Sequence, residues 1–130
     1  MFDHVGIFVS DPEKIYPFYE ACLAPLGIRV TERQPWGSVI FQQEGNAAFW
    51  WVGPAEDEYY GTPLSKEVRR PTHFAFRAPS REAVDAFHRA GLEAGGIDNG
   101  APEEVPGRCY HAFLLDADGN NIEAIFRDTL

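Results

Sequence analysis

Residues 4–28, HVGIFVSDPEKIYPFYEACLAPLGI, and residues 73–97, HFAFRAPSREAVDAFHRAGLEAGGI, decide the fold between them. At a constant offset of 69, His4 meets His73, Glu13 meets Glu82, Phe18 meets Phe87 and Ala21 meets Ala90. Leu23 then meets Leu92, Gly27 meets Gly96 and Ile28 meets Ile97. Seven identities in 25 positions compare with roughly one or two expected by chance at ordinary composition. A period of about 70 residues is too long for a solenoid unit and reads as two copies of a small module.

Each copy opens with a strand. Phe2 to Val9 and Thr72 to Ala78 are apolar, aromatic or β-branched and end in turn residues. A helix follows in both. In the first copy Asp11 is the expected N-cap, with Pro12 at the first helical position. In the second, Ser80 caps a run in which Val84, Phe87, His88 and Leu92 recur at helical spacing. The helices are expected to stop at Gly27 and at Gly95-Gly96, where a left-handed residue ends the last turn. Pro17, inside the first helix, predicts a kink or a delayed start. The back halves read as hairpins. Gly107 to Leu115 is a strand, residues 116–120 (Asp-Ala-Asp-Gly-Asn) are turn chemistry, and Asn121 to Arg127 returns. Ser38 to Gln42, the Glu44-Gly45-Asn46 turn and Ala47 to Val52 repeat this pattern in the first copy. Between the copies, Gly53 to Pro71 is polar and contains Gly, Pro and two Tyr, which reads as a lid or crossover. The whole is expected to be one domain: module one at about 1–53, a connection at about 54–71, and module two at about 72–130.

Composition narrows the functional classes. The chain has 130 residues, 11 Lys plus Arg against 20 Asp plus Glu, and a net charge of −9. That balance argues against a nucleic-acid footprint or a polybasic membrane surface. A 45% apolar and 24% charged content is that of a folded globular protein. The N-terminus lacks the basic region and cleavage site of a signal peptide, and no apolar run approaches a membrane span. Cys22 and Cys109 make neither a disulfide framework nor a local metal-ligand pair, so they read as reduced thiols and the location as cytoplasmic. The 18 aromatic residues, 14% of the chain, exceed the needs of a small core and suggest a lined cavity.

Three stretches carry a family resemblance: Asp3-His4-Val5-Gly6-Ile7, Thr72-His73-Phe74-Ala75-Phe76, and residues 116–123 (Asp-Ala-Asp-Gly-Asn-Asn-Ile-Glu). With these the chain resembles, over nearly its whole length, the vicinal-oxygen-chelate superfamily of glyoxalases, bleomycin-resistance proteins and extradiol dioxygenases. The resemblance implies an α+β fold in which two tandem βαβββ modules form a curved, partly open mixed-sheet barrel around a divalent metal. It also implies a homodimer.

Carried over from the family, the metal ligands fall on His4, His73 and Glu123. The fourth position, matched through the Gly-Asn turn, is Phe49, which cannot bind a cation. Two imidazoles and one carboxylate leave coordination sites open for substrate and water. Fe is the usual occupant of such a triad, and Mn, Zn or Ni also suit these ligand types. Glu123 stands in the apolar run Ile122 to Phe126, where a carboxylate is costly to bury unless a cation meets it. Strand alternation puts Cys109, His111, Phe113 and Leu115 on one face. His111 is then a candidate general acid-base beside the metal, set against a histidine merely hydrogen-bonded at the sheet edge. The same alternation makes Phe8, Phe49, Trp51, Arg77, Phe113 and Arg127 the substrate-pocket candidates, the two arginines for a substrate carboxylate. His88, on a helix, is not expected to be chemical.

The departures bear on the reaction. Phe49 removes the first-module ligand that glyoxalase I needs. Phe113 replaces the tyrosine of the ring-cleaving dioxygenases, and the stretch leading up to His73 lacks the additional histidine that theirs has. Gly6 replaces the threonine of the fosfomycin-resistance thiol transferases. Three readings follow: a metal-dependent lyase or dioxygenase type of enzyme on a small aromatic or carboxylated, oxygen-chelating molecule; a binder like the bleomycin-resistance proteins, without catalysis; or a protein whose metal site is closed and inert.

Overall fold

The computed structural model describes residues 2–55, 58–59, 62–63 and 72–128. The first module runs β1 (His4–Val9), α1 (Pro12–Leu23), a 3-10 turn (Ala24–Leu26), β2 (Ile28–Arg33), β3 (Val39–Gln43) and β4 (Phe49–Pro54). Two short strands, β5 (Glu58–Tyr59) and β6 (Thr62–Pro63), pair with each other. The second module runs β7 (His73–Arg77), α2 (Arg81–Glu93), β8 (Ile97–Val105), β9 (Cys109–Leu115) and β10 (Asn121–Phe126). The strand orders are β1-β4-β3-β2 and β7-β10-β9-β8, the same permutation twice. In each sheet the opening strand lies parallel to the closing one and the other neighbours are antiparallel. The molecule is therefore α+β, built from two four-stranded mixed sheets. They do not join into a closed barrel.

The helix starts follow the local chemistry. The Asp11 carboxylate accepts from the Lys14 amide, and the Ser80 hydroxyl accepts from the Ala83 amide; each satisfies one of the unpaired first-turn N–H groups. Pro17 does not delay the first helix, which runs unbroken from Pro12 to Leu23. The missing N–H removes one bond, to the Glu13 carbonyl, while the buried stripe Ile15, Phe18, Tyr19, Cys22 and Leu23 holds the turns on either side. The first helix also stops short of Gly27. It tightens into the 3-10 turn, and Gly27 closes that turn at φ 76° with its N–H on the Ala24 carbonyl.

The core lies between the helices and one face of each sheet. Val9, Val39, Phe41, Trp50 and Val52 from the first module and Ala112, Leu114, Ile122 and Ala124 from the second are buried. Trp50 crosses between modules, its ring meeting Tyr19 and Phe41 on one side and Phe74 and Phe76 on the other. A buried polar clasp adds to this. Asp116, in the β9–β10 turn, accepts from the Tyr19 hydroxyl at 2.5 Å, from the Asn120 side chain and from the backbone N–H groups of Asp118 and Asn120. Asp118 in the same turn accepts from the Ser10 amide and hydroxyl of the first module. Burial of Tyr19, with the Asp116 carboxylate beside it, pushes the phenol far above its ordinary range, so the hydroxyl remains a donor.

Two residues that match in the repeat differ in environment. Leu23 and Ile28 are buried in the first module, whereas their counterparts Leu92 and Ile97 are 39% and 56% exposed. The duplication is a fold symmetry and not a symmetry of surfaces.

Candidate functional site

Opposite the core, each sheet turns its second face outward, and every residue expected at a site from the sequence, apart from Arg127 just past β10, stands on one of these two faces. On the first sheet these are His4, Gly6 and Phe8 of β1 and Phe49 and Trp51 of β4. On the second they are His73, Ala75 and Arg77 of β7, His111 and Phe113 of β9, and Glu123 of β10. Alternation puts them there, because Ile7, Val9, Trp50, Val52, Ala112, Leu114, Ile122 and Ala124 take the core side.

Three of the expected residues meet on the second sheet. Glu123 is 8% exposed, and both of its oxygens face imidazoles: Oε1 lies 3.0 Å from Nδ1 of His111 and Oε2 3.2 Å from Nε2 of His73. The other nitrogen of His73, Nδ1, is 3.1 Å from the Asn121 carbonyl. A carbonyl only accepts, so Nδ1 carries a hydrogen, and Nε2 is the atom that faces the carboxylate oxygen. Such a pair is repulsive unless a proton or a metal cation stands between. His111 Nε2 is buried without a hydrogen-bond partner, with the nearest Glu103 oxygen at 3.6 Å. The Phe113 ring lies 4.7 Å from the His111 ring and 6.3 Å from that of His73.

His4 does not join that cluster. It stands on the other sheet with Nδ1 2.7 Å from the Asp3 carboxylate and its ring stacked on Phe49 at 4.7 Å and 8°. Among the described residues, no three His, Cys, Asp or Glu side chains are grouped to hold a metal ion. The donor chemistry nevertheless suits one. His4 and His73 are both anchored through Nδ1 by a carboxylate or a carbonyl, which leaves Nε2 for a cation, the arrangement ligating histidines adopt.

The strand register corrects the fourth position. His4 pairs with Phe49 and Gly6 with Trp51, while His73 pairs with Asn121 and Ala75 with Glu123. The first-module counterpart of Glu123 is therefore Trp51, and Phe49 matches Asn121. The turn glycines Gly45 and Gly119 do correspond, at φ 78° and 82°, but the first module inserts two more residues before its closing strand. Trp51 lies across the backbone of Gly6 and Gly53: an added Cβ would come within 2.9 Å and 2.2 Å of its ring. Its Nε1 donates to Gln34, and Phe8 meets it edge-on. One module thus carries a carboxylate where the other carries an indole, and both carry an imidazole on the opening strand.

The remaining expectations divide. Arg77 has no hydrogen bond or ion pair among the described residues, while Arg127 donates to the Arg108 carbonyl. His111 is not at a sheet edge, since β9 is an inner strand. His88 is a structural contact to Asp98 at 3.0 Å. The expected lid between the modules lies mostly outside the described residues. Asp3, Glu103, Gly6 and Gly53 were not foreseen. Asp3 was legible as the neighbour of His4. Glu103 was not, because two register shifts in β8 separate it from any simple count.

The sequence model of the Glyoxalase/Bleomycin resistance protein/Dioxygenase superfamily matches residues 1–124. The chain belongs to this superfamily. Solved members and neighbours agree with that. A glyoxalase/bleomycin resistance protein from Albidiferax ferrireducens T118 is 30% identical, with a TM-score of 0.76 over 97% of this chain and 98% of that one. A glyoxalase-related enzyme from Fulvimarina pelagi has the same fold at 17% identity and a TM-score of 0.75, over 98% of this chain and 88% of that one. TnmS3, an antibiotic binding protein from Streptomyces sp. CB03234, has it at 21% identity and 0.65, over 98% and 96%. A comparison with curated proteins finds no match. No described helix of this superfamily member is long and apolar enough to cross a membrane.

Proposed function

We propose that the chain is a divalent-metal-dependent enzyme of lyase or dioxygenase type, acting on a small oxygen-chelating substrate. The observation that carries this is the pairing of a buried carboxylate with a histidine whose Nδ1 hydrogen is already committed to a carbonyl. His73 and Glu123 would hold the ion, and His4 would be the third ligand. When bound, the ion supplies Lewis acidity toward vicinal oxygens of the substrate. His111 holds Glu123 in place through Nδ1 and is positioned to take or return a proton. Phe8, Phe49, Trp51 and Phe113 form apolar walls over the two outward faces, and Arg77 and Arg127 are the cationic candidates at their rims.

His4 lies on the other sheet from His73 and Glu123, so we place the complete site between two copies of the chain, each giving His4 to the other. The protein is then a homodimer and, with both cysteines free, cytoplasmic. The alternative is a small-molecule binder without catalysis. It draws support from Trp51 and Phe49, which line the first sheet with rings and no metal donor.

Metal analysis of protein purified without chelator separates the two. Bound Fe, Mn, Zn or Ni, lost in His4→Ala and Glu123→Ala with the fold retained, is the expected outcome. No metal in the wild type, and none taken up on titration, would leave the binder. His111→Ala should keep the metal and lose turnover. Refolding the His4→Ala and Glu123→Ala chains together should restore about a quarter of the sites, because half the dimers are mixed and each mixed dimer has one intact site. No recovery would place the site within one chain.

A further inference from the structure

A groove of about 360 Å³ lies between the two modules; it shares His4, Phe49 and Arg77 with the site proposed above but is not lined by His73, His111 or Glu123. Its size is within the range of small-molecule sites. Its walls are largely apolar, with rings from Phe49 and Trp50 of β4 and Phe74 and Phe76 of β7, and Gln42, Gln43 and Asn46 as polar neighbours. Trp50 meets Phe76 edge-on at 4.9 Å and Phe74 at 5.8 Å, which fixes the wall shared by both modules. The stacked His4 and Phe49 rings give one flat side, and Asp3 sets the plane of His4. A planar ring suits such a surface, since stacked and edge-on ring contacts add about 0.5–1.5 kcal/mol beyond burial.

The groove also carries a charge. Arg77 lines it, is exposed, and has no hydrogen bond or ion pair among the described residues. Among the described residues Arg33 pairs with Glu20, and Arg81 with Glu104 and Asp128, while the guanidinium groups of Arg29, Arg89 and Arg108 are as unengaged as that of Arg77; what sets Arg77 apart is its place on the groove wall. Among the described residues, no Asp or Glu lines the groove. Arg77 is thus the charged side chain on the described walls, with the Asp3 carboxylate behind His4, in a chain of net charge −9.

We propose that this groove binds a small planar aromatic carboxylate, with the ring against the His4–Phe49 face and the carboxylate on the Arg77 guanidinium. A guanidinium pairs a carboxylate through two parallel hydrogen bonds, which a neutral amide cannot reproduce. The assignment rests on reading the chain as a small-molecule-binding member of its superfamily. It needs no bound metal: of the proposed ligands only His4 lines the groove, and His4 contributes its ring face here, while His73 and Glu123 are not among the lining residues.

The test is calorimetric titration of the full chain, in chelator, with 2-naphthoate and with the uncharged 2-naphthamide. The acid should bind at least about tenfold more tightly than the amide, the scale of one charge-assisted bidentate pair. Arg77→Gln, an exposed position that leaves packing intact, should remove the preference. Arg89→Gln, at an exposed arginine of α2 outside the groove, should leave it unchanged. Equal affinity for acid and amide, no detectable binding of the acid, or a preference that survives Arg77→Gln would each overturn the proposal. Loss of the preference in Arg89→Gln as well would make it an effect of net charge and overturn the proposal too. A protein that takes up no metal yet prefers the acid would refute the metal reading and leave this one standing.

Discussion

A methyl group at Gly53 would stand 2.2 Å from Cη2 of Trp51 and 2.4 Å from Cζ2. No real pair of atoms tolerates that, so Gly53→Ala must lift the indole off the sheet. Gly6→Ala is milder, at 2.9 Å from Cε3. We expect Gly53→Ala to cost roughly 1–3 kcal/mol, as overpacking does, and to break the Trp51–Gln34 hydrogen bond. Urea unfolding and the wavelength of tryptophan emission would show both effects. An unchanged emission would mean that Trp51 does not lie on this glycine bed. The same residues show where reading the sequence failed. His4 and His73 were legible because the two opening strands align without gaps. Trp51 was not, because two extra residues in one turn shift a strand by one full alternation, which keeps the face and changes the partner. The meeting of His111 with Glu123 was half legible: alternation gave the face, but only the pairing of β9 with β10 gave the contact.

At the scale of elements, the second helix is tied down by charge. Ser80 and its own backbone N–H hold Glu82 below the usual carboxylate range, the backbone contribution being the larger. Hydrogen bonding from His88 lowers Asp98, with the Gly100 amide adding to it. Hydrogen bonding from Arg81 lowers Asp128. A carboxyl that ionises more easily in the folded state stabilises it above the ordinary carboxylate range, and that stability is lost as pH falls through the folded value. The tethers of α2 should therefore loosen below about pH 4. Hydrogen exchange of α2 amides should accelerate there earlier than that of α1. Asp98→Asn should flatten the acid limb of a urea-midpoint profile; a profile identical to wild type would remove this tether from the account. Both helices were readable from their caps and periodicity. The passage of α1 through Pro17 was not, because it depends on tertiary packing that outweighs one lost backbone bond.

Across the whole molecule, the two modules share one core. Trp50 packs against rings from both, and the Asp116 turn of the second module grips Tyr19 and Ser10 of the first. Tyr19→Phe removes one buried donor to a carboxylate and should cost about 1–3 kcal/mol. Circular dichroism and near-ultraviolet signals should still melt together, since neither module keeps its core alone. Two separate transitions would show that the clasp does not couple the modules. The doubled architecture was legible from seven identities, but the clasp was not: it joins a helix of one copy to a turn of the other, and an internal repeat reports only what the copies have in common.

That clasp also bears on how the chain is made. Tyr19 and Asp116 are 97 residues apart, so a chain growing on the ribosome forms α1 long before its acceptor is synthesised. Until then the phenol has ring neighbours in Phe41 and Trp50 of its own module but no acceptor for its hydroxyl. Domains of this kind reach their native state late, after release or close to it. A nascent chain halted before residue 116 should therefore be exposed to chaperones and proteases, although its first module is already complete in sequence.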